Sequence, residues 1–323
     1  MNRRTLLVGF GGLLALSALP ALAQDKTYTL QPKYTAGEMT KYKFSMNMLI
    51  KMKDKEGKAI QIPGLGDEGM RMKMGGTLIQ KTKTVKPDGS ATLSSQLRGG
   101  TMEMMGQTNE IPSGPESTTE VDKAGKVLKT TTPQQGMMMA NPFMGMMQMD
   151  KISSMGMVYP DKPIKVGDMW EQELPGMAEG TMMKVKNEVV ALEQLGGKET
   201  LRIKQTISIP FDMSLGPDGK PTKEKKGAAM KGSMTTETFY NLNTEDARVV
   251  RTSGTIKGGM TMQLPEEAAQ QSPFGTTLNM DMEGTMGQTL LSIGKISDDV
   301  APKKVTPPTK PAAKPTTKGK KKH

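Results

Sequence analysis

The 32 methionines of this sequence are the side chains that could serve in either of two kinds of binding site, one for apolar ligands and one for soft metal ions. Many lie on alternate positions of short stretches, namely Met46, Met48 and Met52; Met70, Met72 and Met74; Met102 and Met104; Met260 and Met262; and Met280 and Met282. Because side chains alternate between the two faces of a β-strand, each set would lie on one face of a sheet. A thioether adapts to irregular apolar shapes, and it also binds soft metal ions.

Three uses of these methionines are open. In the first, one face of a sheet lines a pocket for an apolar ligand, such as a lipid or a hydrophobic peptide segment. The predicted lining residues are Met46, Met48, Met260, Met262, Met280 and Met282. In the second, a cluster binds Cu(I) or Ag(I) through thioether ligands, which are Met144, Met146, Met147 and Met149. In the third, methionine only fills the core of a structural or interaction protein of the cell envelope.

The sequence offers little for catalysis. It has no cysteine, and its single histidine is His323, so a thiol nucleophile, a thiolate metal site and a buried serine–histidine pair are excluded. No phosphate-binding loop motif is present, and carboxylates such as Asp150 and Asp168 have no spacing typical of an acid–base pair. Aromatic residues make up only 4% of the chain, which argues against stacking on single-stranded nucleic acid. We therefore predict a protein that is not an enzyme, has no cofactor and does not bind nucleic acid specifically.

The elements that would position the methionines are β-strands. From Lys41 to Met52, apolar residues alternate with lysine, serine and asparagine, which is typical of a half-buried strand in an antiparallel sheet. Similar patterns predict further strands at about 69–86, 90–105, 117–122, 126–131, 180–193, 199–210, 229–242, 247–264 and 277–292.

Turn sequences separate several of these strands. They are Pro87-Asp88-Gly89, Asp122-Lys123-Ala124-Gly125, Gly196-Gly197 and Asn243-Thr244-Glu245-Asp246. Consecutive strands joined by such turns predict a mainly β fold, which is either one large bent antiparallel sheet or a half-open β-barrel.

Residues 24–300 are predicted to form one β-rich domain. The methionine-rich segment 132–158 loses the alternation, and we expect short helices within 134–157 as a connection between two halves, 27–131 and 159–295. Two short matches at a constant offset indicate that the halves are similar: Gly37-Glu38-Met39 with Gly167-Asp168-Met169, and Pro87-Asp88-Gly89 with Pro217-Asp218-Gly219. Exposed loops are predicted at 54–68 and 213–228, which are rich in glycine, proline and lysine.

The two ends of the chain indicate export and disorder. Residues 1–23 have a positive start, an apolar stretch and a small-residue cleavage site, so a signal peptide is predicted, and the Sec and twin-arginine routes both stay open. With no cysteine for a lipid anchor, the expected location is periplasmic or secreted. Residues 301–323 contain eight lysines and no acid, which predicts a disordered tail that either solubilises the protein or tethers it loosely to an anionic envelope surface.

The most specific stretch is Tyr159-Pro160-Asp161-Lys162-Pro163-Ile164-Lys165-Val166-Gly167-Asp168-Met169-Trp170. Its prolines stiffen an extended segment, Gly167-Asp168 permits a tight turn, and Trp170 then enters a strand and anchors the core. The segment Pro160–Trp170 resembles a P-x-K-P-V-K-x-G-D-x-W element of an uncharacterised family of bacterial exported β-rich proteins. The strand plan is similar, more distantly, to the half-barrels of periplasmic lipoprotein carriers and lipid-binding lipoproteins. The resemblance implies an exported half-barrel and carries over no catalytic residue.

Overall fold

The computed structural model describes residues 26–60, 69–104, 106–131, 159–175, 182–215, 221–222, 228–264 and 276–298. In this part of the chain the fold is mainly β, as the sequence predicted: thirteen strands form one antiparallel sheet, and the only helical element is a short 3-10 turn, Ile296–Asp298. No helix among the described residues is both long enough and apolar enough to cross a membrane.

The strands follow one another along the chain with mostly short connections. Their bounds are β1 Glu38–Lys53, β2 Met70–Val85, β3 Ala91–Met104, β4 Gln107–Ile111, β5 Ser117–Val121, β6 Val127–Thr131, β7 Met169–Pro175, β8 Met182–Leu195, β9 Lys198–Leu215, β10 Pro221–Thr222, β11 Ala228–Asn243, β12 Val249–Gln263 and β13 Thr277–Lys295.

The sheet consists of two meanders that meet at its centre. The first runs outward from β1 to β6, the second runs inward from β7 to β13, and the pairing of β1 with β13 joins them. The short strands β4 and β10 add to β3 and β9 beside this path. Because β6 and β7 lie at opposite edges of the strand order, the sheet is open and does not close into a barrel.

Glycines on the apolar face allow this sheet to bend sharply. A Cβ atom on Gly100 would collide with a backbone carbonyl oxygen of β2, and one on Gly232 would collide with a backbone carbonyl oxygen of β12. A Cβ atom on Gly284 would lie 2.5 Å from a carbonyl oxygen of β1. Strands approach this closely where a sheet turns a corner, and glycine is the residue that permits it. The sheet therefore bends at the β2–β3, β11–β12 and β1–β13 pairs.

The apolar face, which we call the inner face, carries two large cores of different composition. The first contains ten buried and five partly buried methionines, and we call it the methionine core. Its methionines are Met46, Met48, Met52, Met70, Met72, Met74, Met102, Met183, Met230, Met234, Met260, Met262, Met280, Met282 and Met286. The second, the aromatic core, combines Tyr28, Tyr159, Trp170 and Tyr240 with aliphatic residues, and no methionine belongs to it within the described ranges. Its aliphatic members include Leu30, Ile164, Val189, Leu201, Ile203 and Leu242.

The two cores lie at opposite ends of the strands. At the aromatic end, the segments 26–37 and 159–168 pack against the sheet, and the backbone N–H groups of Tyr28 and Ile164 each donate to the carbonyl oxygen of the other, at 2.8 and 2.9 Å. The tight turns after β2, β5, β8 and β11 lie at the same end. In contrast, β1, β9 and β12 run toward the methionine core and end there.

The outer face of the sheet is polar and carries ion pairs between neighbouring strands. Lys53 Nζ lies 2.6 Å from Asp281 Oδ2, and Lys73 Nζ lies 3.1 Å from Glu103 Oε1. Exposed pairs of this kind stabilise a fold by only about 0.2–1 kcal/mol each. One apolar and one polar face is the arrangement that the alternation in β1 predicts.

Most predicted strands are found within a few residues of their expected bounds. The predicted exposed loop 213–228 is wrong in part, because β9 continues to Leu215, where it pairs with Ala228 of β11, and β10 adds a second short pairing. Strand β4 was not predicted, since its residues Gln107 to Glu110 are all polar and show no alternation.

Several expectations lie outside the described residues. They are the helices within 134–157 in the connection 132–158, the signal peptide 1–23 and the tail 301–323. The division of the domain 24–300 into two similar halves stays a prediction, as does export of the protein.

Candidate functional site

Cross-strand pairing places the methionines of the inner face in rows. One row crosses four strands and consists of Met102 on β3, Met74 on β2, Met46 on β1 and Met286 on β13. Another crosses three strands and consists of Met52 on β1, Met280 on β13 and Met260 on β12. Directly opposed residues of antiparallel strands have Cβ atoms about 4.5–5.5 Å apart, so neighbouring thioethers within a row are in contact range.

The six residues predicted to line a ligand site all lie on this face. Five of them are buried in the methionine core, none more than 6% exposed: Met46, Met48, Met260, Met280 and Met282. Met262 is partly buried and packs against the same core. The structure thus brings the six together, and their role as ligand-lining residues stays a prediction.

This core also contains methionines that were not predicted from the sequence, which are Met183, Met230, Met234 and Met286. These four do not belong to the Met-x-Met pairs from which the other methionines of the face were predicted. A signal was available, because Met183 alternates with the buried Val185, and Met230 and Met234 are four residues apart on one strand face. Alternation of all apolar residues, rather than of methionine alone, would have found them.

Among the described residues, the donor atom that this site offers to a metal ion is thioether sulfur. No group of three or more histidine, cysteine, aspartate or glutamate residues is placed to hold a metal ion in the ranges described. A methionine row such as that of Met280 offers three soft donors side by side, which suits a soft monovalent ion. The predicted metal ligands lie outside the described residues, and the hypothesis stays a prediction for Met144, Met146, Met147 and Met149.

A line of polar side chains separates the two cores on strands β8, β9 and β11. We call it the polar belt, and it consists of Asn187, Gln205 and Thr238. The three residues face one another in the strand register, and none is more than 6% exposed. On β8, the residues two positions either side of Asn187 are Val185, which belongs to the methionine core, and Val189, which belongs to the aromatic core.

Hydrogen bonds connect the belt to the aromatic core. The Gln205 side-chain Nε2 donates to Asn187 Oδ1 at 3.1 Å, and the Tyr240 hydroxyl donates to Gln205 Oε1 at 3.3 Å. Asn187 Nδ2 is buried and has no hydrogen-bond partner among the described residues. A buried donor left unpaired costs about 1–3 kcal/mol. This belt was not predicted from the sequence, although a polar residue at an inward position of an alternating strand was its signal.

Burial raises the pKa of the tyrosines at the aromatic end. The pKa values of Tyr34, Tyr42 and Tyr240 are each raised to about 12, chiefly because burial disfavours the charged phenolate. Burial also raises the pKa of Tyr159, whose hydroxyl donates to the Ala247 carbonyl oxygen at 3.1 Å. These hydroxyl groups therefore stay protonated at neutral pH, and those of Tyr159 and Tyr240 donate hydrogen bonds.

The segment Tyr159–Trp170 builds the entry to the edge strand β7. The backbone N–H of Asp168 donates to the Lys165 carbonyl oxygen at 3.1 Å, and Asp168 Oδ2 accepts from the backbone N–H of Lys165 at 2.9 Å. Gly167 lies between them with a φ of 93°, a region that favours glycine. Trp170 follows in β7 and packs against the aromatic core. The segment therefore fixes one edge of the sheet beside the polar belt.

Comparison with known proteins does not place this chain in a family. No family model matches it, and no curated protein matches its sequence. A solved structure described as "lipid-protein interactions in lipovitellin" is similar with a TM-score of 0.40 and 11% sequence identity, over 81% of this chain. The match covers 26% of the lipovitellin chain, so this chain spans about a quarter of its length. A TM-score this low assigns neither a shared fold nor a function, and the resemblance of Pro160–Trp170 to an exported family stays a prediction.

Proposed function

We propose that this protein binds an apolar ligand, either a lipid or a hydrophobic peptide segment, against the methionine core. The observation that carries the proposal is the segregation of side chains along the strands. Ten buried and five partly buried methionines share the core at one end, whereas aliphatic and aromatic residues fill the core at the other. If methionine served only as a general filler, it would be spread over both ends of the sheet, yet ten of the eleven buried methionines in the described ranges belong to this core, and Met39 is the exception.

The physical properties of methionine support this function. Its unbranched side chain has three rotatable bonds, so a core of opposed thioethers can repack around a guest molecule at low cost. Branched residues such as Ile203 and Leu242 in the aromatic core have fewer accessible rotamers and hold a fixed shape. Transfer of an apolar guest from water to such a core gains about 25 cal/mol per Å² of buried apolar surface. The aromatic end then acts as the rigid support of an adaptable site.

Binding of a hydrocarbon fluorophore to the full chain tests the proposal. Diphenylhexatriene has no hydrogen-bonding group, and we expect a saturable rise in its fluorescence. Met48→Asp should abolish that rise, because Met48 is 3% exposed at the centre of the methionine core and a carboxylate there must be hydrated. Mass spectrometry of an organic extract of the purified protein then identifies the class of molecule that it carries.

The adjacent position provides a matched control. Asn47 lies on the outer face of the same strand and is exposed, so Asn47→Asp introduces the same group and should leave binding unchanged. Far-UV circular dichroism measures whether each variant keeps the β fold. Unchanged probe binding by a folded Met48→Asp variant would show that the methionine core is not the binding site. If the wild type shows no saturable binding, the methionine core is ordinary core packing and binds no ligand.

A further inference from the structure

We infer that the polar belt is a subsite for the head of a neutral amphiphile, and that Asn187 donates a hydrogen bond to an ester or ketone oxygen of that ligand. The inference rests on the proposed function and specifies how the ligand is oriented between the two cores. Its hydrocarbon chain would lie in the methionine core, and its acceptor oxygen would lie at the boundary with the aromatic core.

The belt adjoins the methionine core along two lines. Along β8, Val185 and Met183 of the methionine core follow Asn187 at alternate positions, about 6.5 Å apart. Across the sheet, Thr238 of the belt faces Gly254, and Gly254 faces Met286. Gly254 has no side chain, and the Thr238 hydroxyl occupies the space beside it, so the belt and the methionine row adjoin on this line. A chain bound against the methionines therefore reaches the belt directly.

Hydrogen bonds within the belt run in one direction and end in a donor. The Tyr240 hydroxyl donates to Gln205, and the Gln205 amide donates to Asn187. The Asn187 side chain then presents Nδ2, for which the described part of the chain provides no acceptor, although the residue is only 2% exposed. Each bond in such a series polarises the next, which strengthens the final donor. A ligand oxygen that accepts from Nδ2 would complete the series.

The chemistry of the belt selects the class of head group. Its side chains are two amides and one hydroxyl, and their neighbours Val185 and Val189 are apolar and fully buried. A buried carboxylate or phosphate without a cationic partner would be strongly disfavoured. A neutral acceptor has no such cost, and a long-chain ester or ketone combines it with the apolar chain that the methionine core would bind.

Competition with bound diphenylhexatriene tests the inference on the full chain. Methyl palmitate carries an ester oxygen, and heptadecene is a hydrocarbon of similar length. We expect the ester to displace the probe about tenfold more effectively from the wild type, because it pairs a buried donor that is otherwise left unpaired.

Variants of the belt should remove this preference and leave the hydrocarbon affinity unchanged. Asn187→Leu removes the donor. It also leaves the Gln205 amide without its acceptor, Asn187 Oδ1, so the double variant Asn187→Leu/Gln205→Leu removes that amide as well. Tyr240→Phe is a milder change that shortens the series while Nδ2 stays in place, and it should reduce the ester preference in part. Asn47→Leu makes the same chemical change on the exposed outer face and should keep the full preference.

The outcomes separate this inference from the proposed function. Equal competition by ester and hydrocarbon in the wild type would overturn the head-group subsite, whereas continued probe binding would leave the apolar site standing. An ester preference that survives in a folded double variant would also overturn the subsite. Stronger competition by a long-chain amine than by the ester would show that the belt prefers a donor, which contradicts the assignment. If the double variant does not fold, the wild-type comparison and Tyr240→Phe decide the matter.

Discussion

A single methyl group on the inner face tests whether glycine is what allows the sheet to bend. In Gly232→Ala, the new Cβ atom on β11 would collide with the Gly259 carbonyl oxygen and lie 2.7 Å from Met260 Cα. Both contacts are with backbone atoms of β12, so no side-chain rotation relieves them. The two strands must move apart, and the corner between them must open.

The magnitude follows from two opposing effects. Overpacking of a close-packed site costs about 1–3 kcal/mol, and a contact with fixed backbone lies at the upper end of that range. Replacing glycine by alanine recovers about 0.4–1 kcal/mol, because it restricts the unfolded chain. We therefore expect Gly232→Ala to lower the free energy of unfolding by about 2 kcal/mol.

Gly259→Ala is the matched control on the same pair of strands. Its Cβ atom would lie on the outer face, where the nearest atom is Asp281 Oδ1 at 3.6 Å, an ordinary contact. This variant should be as stable as the wild type or more stable by up to about 1 kcal/mol.

Thermal unfolding, followed by far-UV circular dichroism and by the fluorescence of Trp170, measures both variants. A loss of about 2 kcal/mol should lower the midpoint of Gly232→Ala by roughly 4–8 °C, given the size of the domain. A Gly232→Ala variant as stable as the wild type, or a Gly259→Ala variant that loses as much, would refute the argument that close strand approach on the inner face requires glycine.

The two cores should also differ in their response to substitution and to pH. Leu242→Ala in the aromatic core should cost about 2–5 kcal/mol, whereas Met282→Leu in the methionine core should cost less than about 1.5 kcal/mol, and urea unfolding measures both. At alkaline pH, burial holds the pKa values of Tyr34, Tyr42 and Tyr240 at about 12 against an ordinary value of 10.0, so their contribution to stability is complete below pH 10 and is lost as the pH rises through 12. Tyrosinate absorbance recorded beside circular dichroism checks this, and ionisation of these residues near pH 10 in a folded protein would contradict it.

Local patterns in the sequence predicted the strands well. Alternation placed the first strand at Lys41–Met52 within the observed β1, and the turn at Pro87-Asp88-Gly89 was expected where the Gly89 N–H donates to the Lys86 carbonyl oxygen at 2.9 Å. Both signals depend on a few neighbouring residues, because strand faces alternate with a period of two and turns need particular backbone angles. The same alternation identified eleven of the fifteen core methionines.

The sequence did not reveal features that depend on distant partners. The contact of β1 with β13 joins residues more than 200 positions apart, and nothing in either strand specifies the other. The continuation of β9 to Leu215 depends on its pairing with β11, so a segment rich in glycine and lysine was predicted to be a loop. Asn187 appears as a break in an apolar pattern, and only the register shows that it faces Gln205.

The concentration of methionine at one end of the sheet, with Met39 as the buried exception, also determines how oxidants act on the protein. Oxidation converts a thioether to a polar sulfoxide, which is unfavourable in an apolar core. Because the methionines lie opposite one another in rows, the first sulfoxide loosens the packing of its neighbours and makes them accessible in turn. Damage therefore spreads through one half of the sheet. The aromatic core at the other end contains no thioether, so it keeps its packing. Once the sulfoxides are reduced to methionine, the oxidised end can pack again beside it.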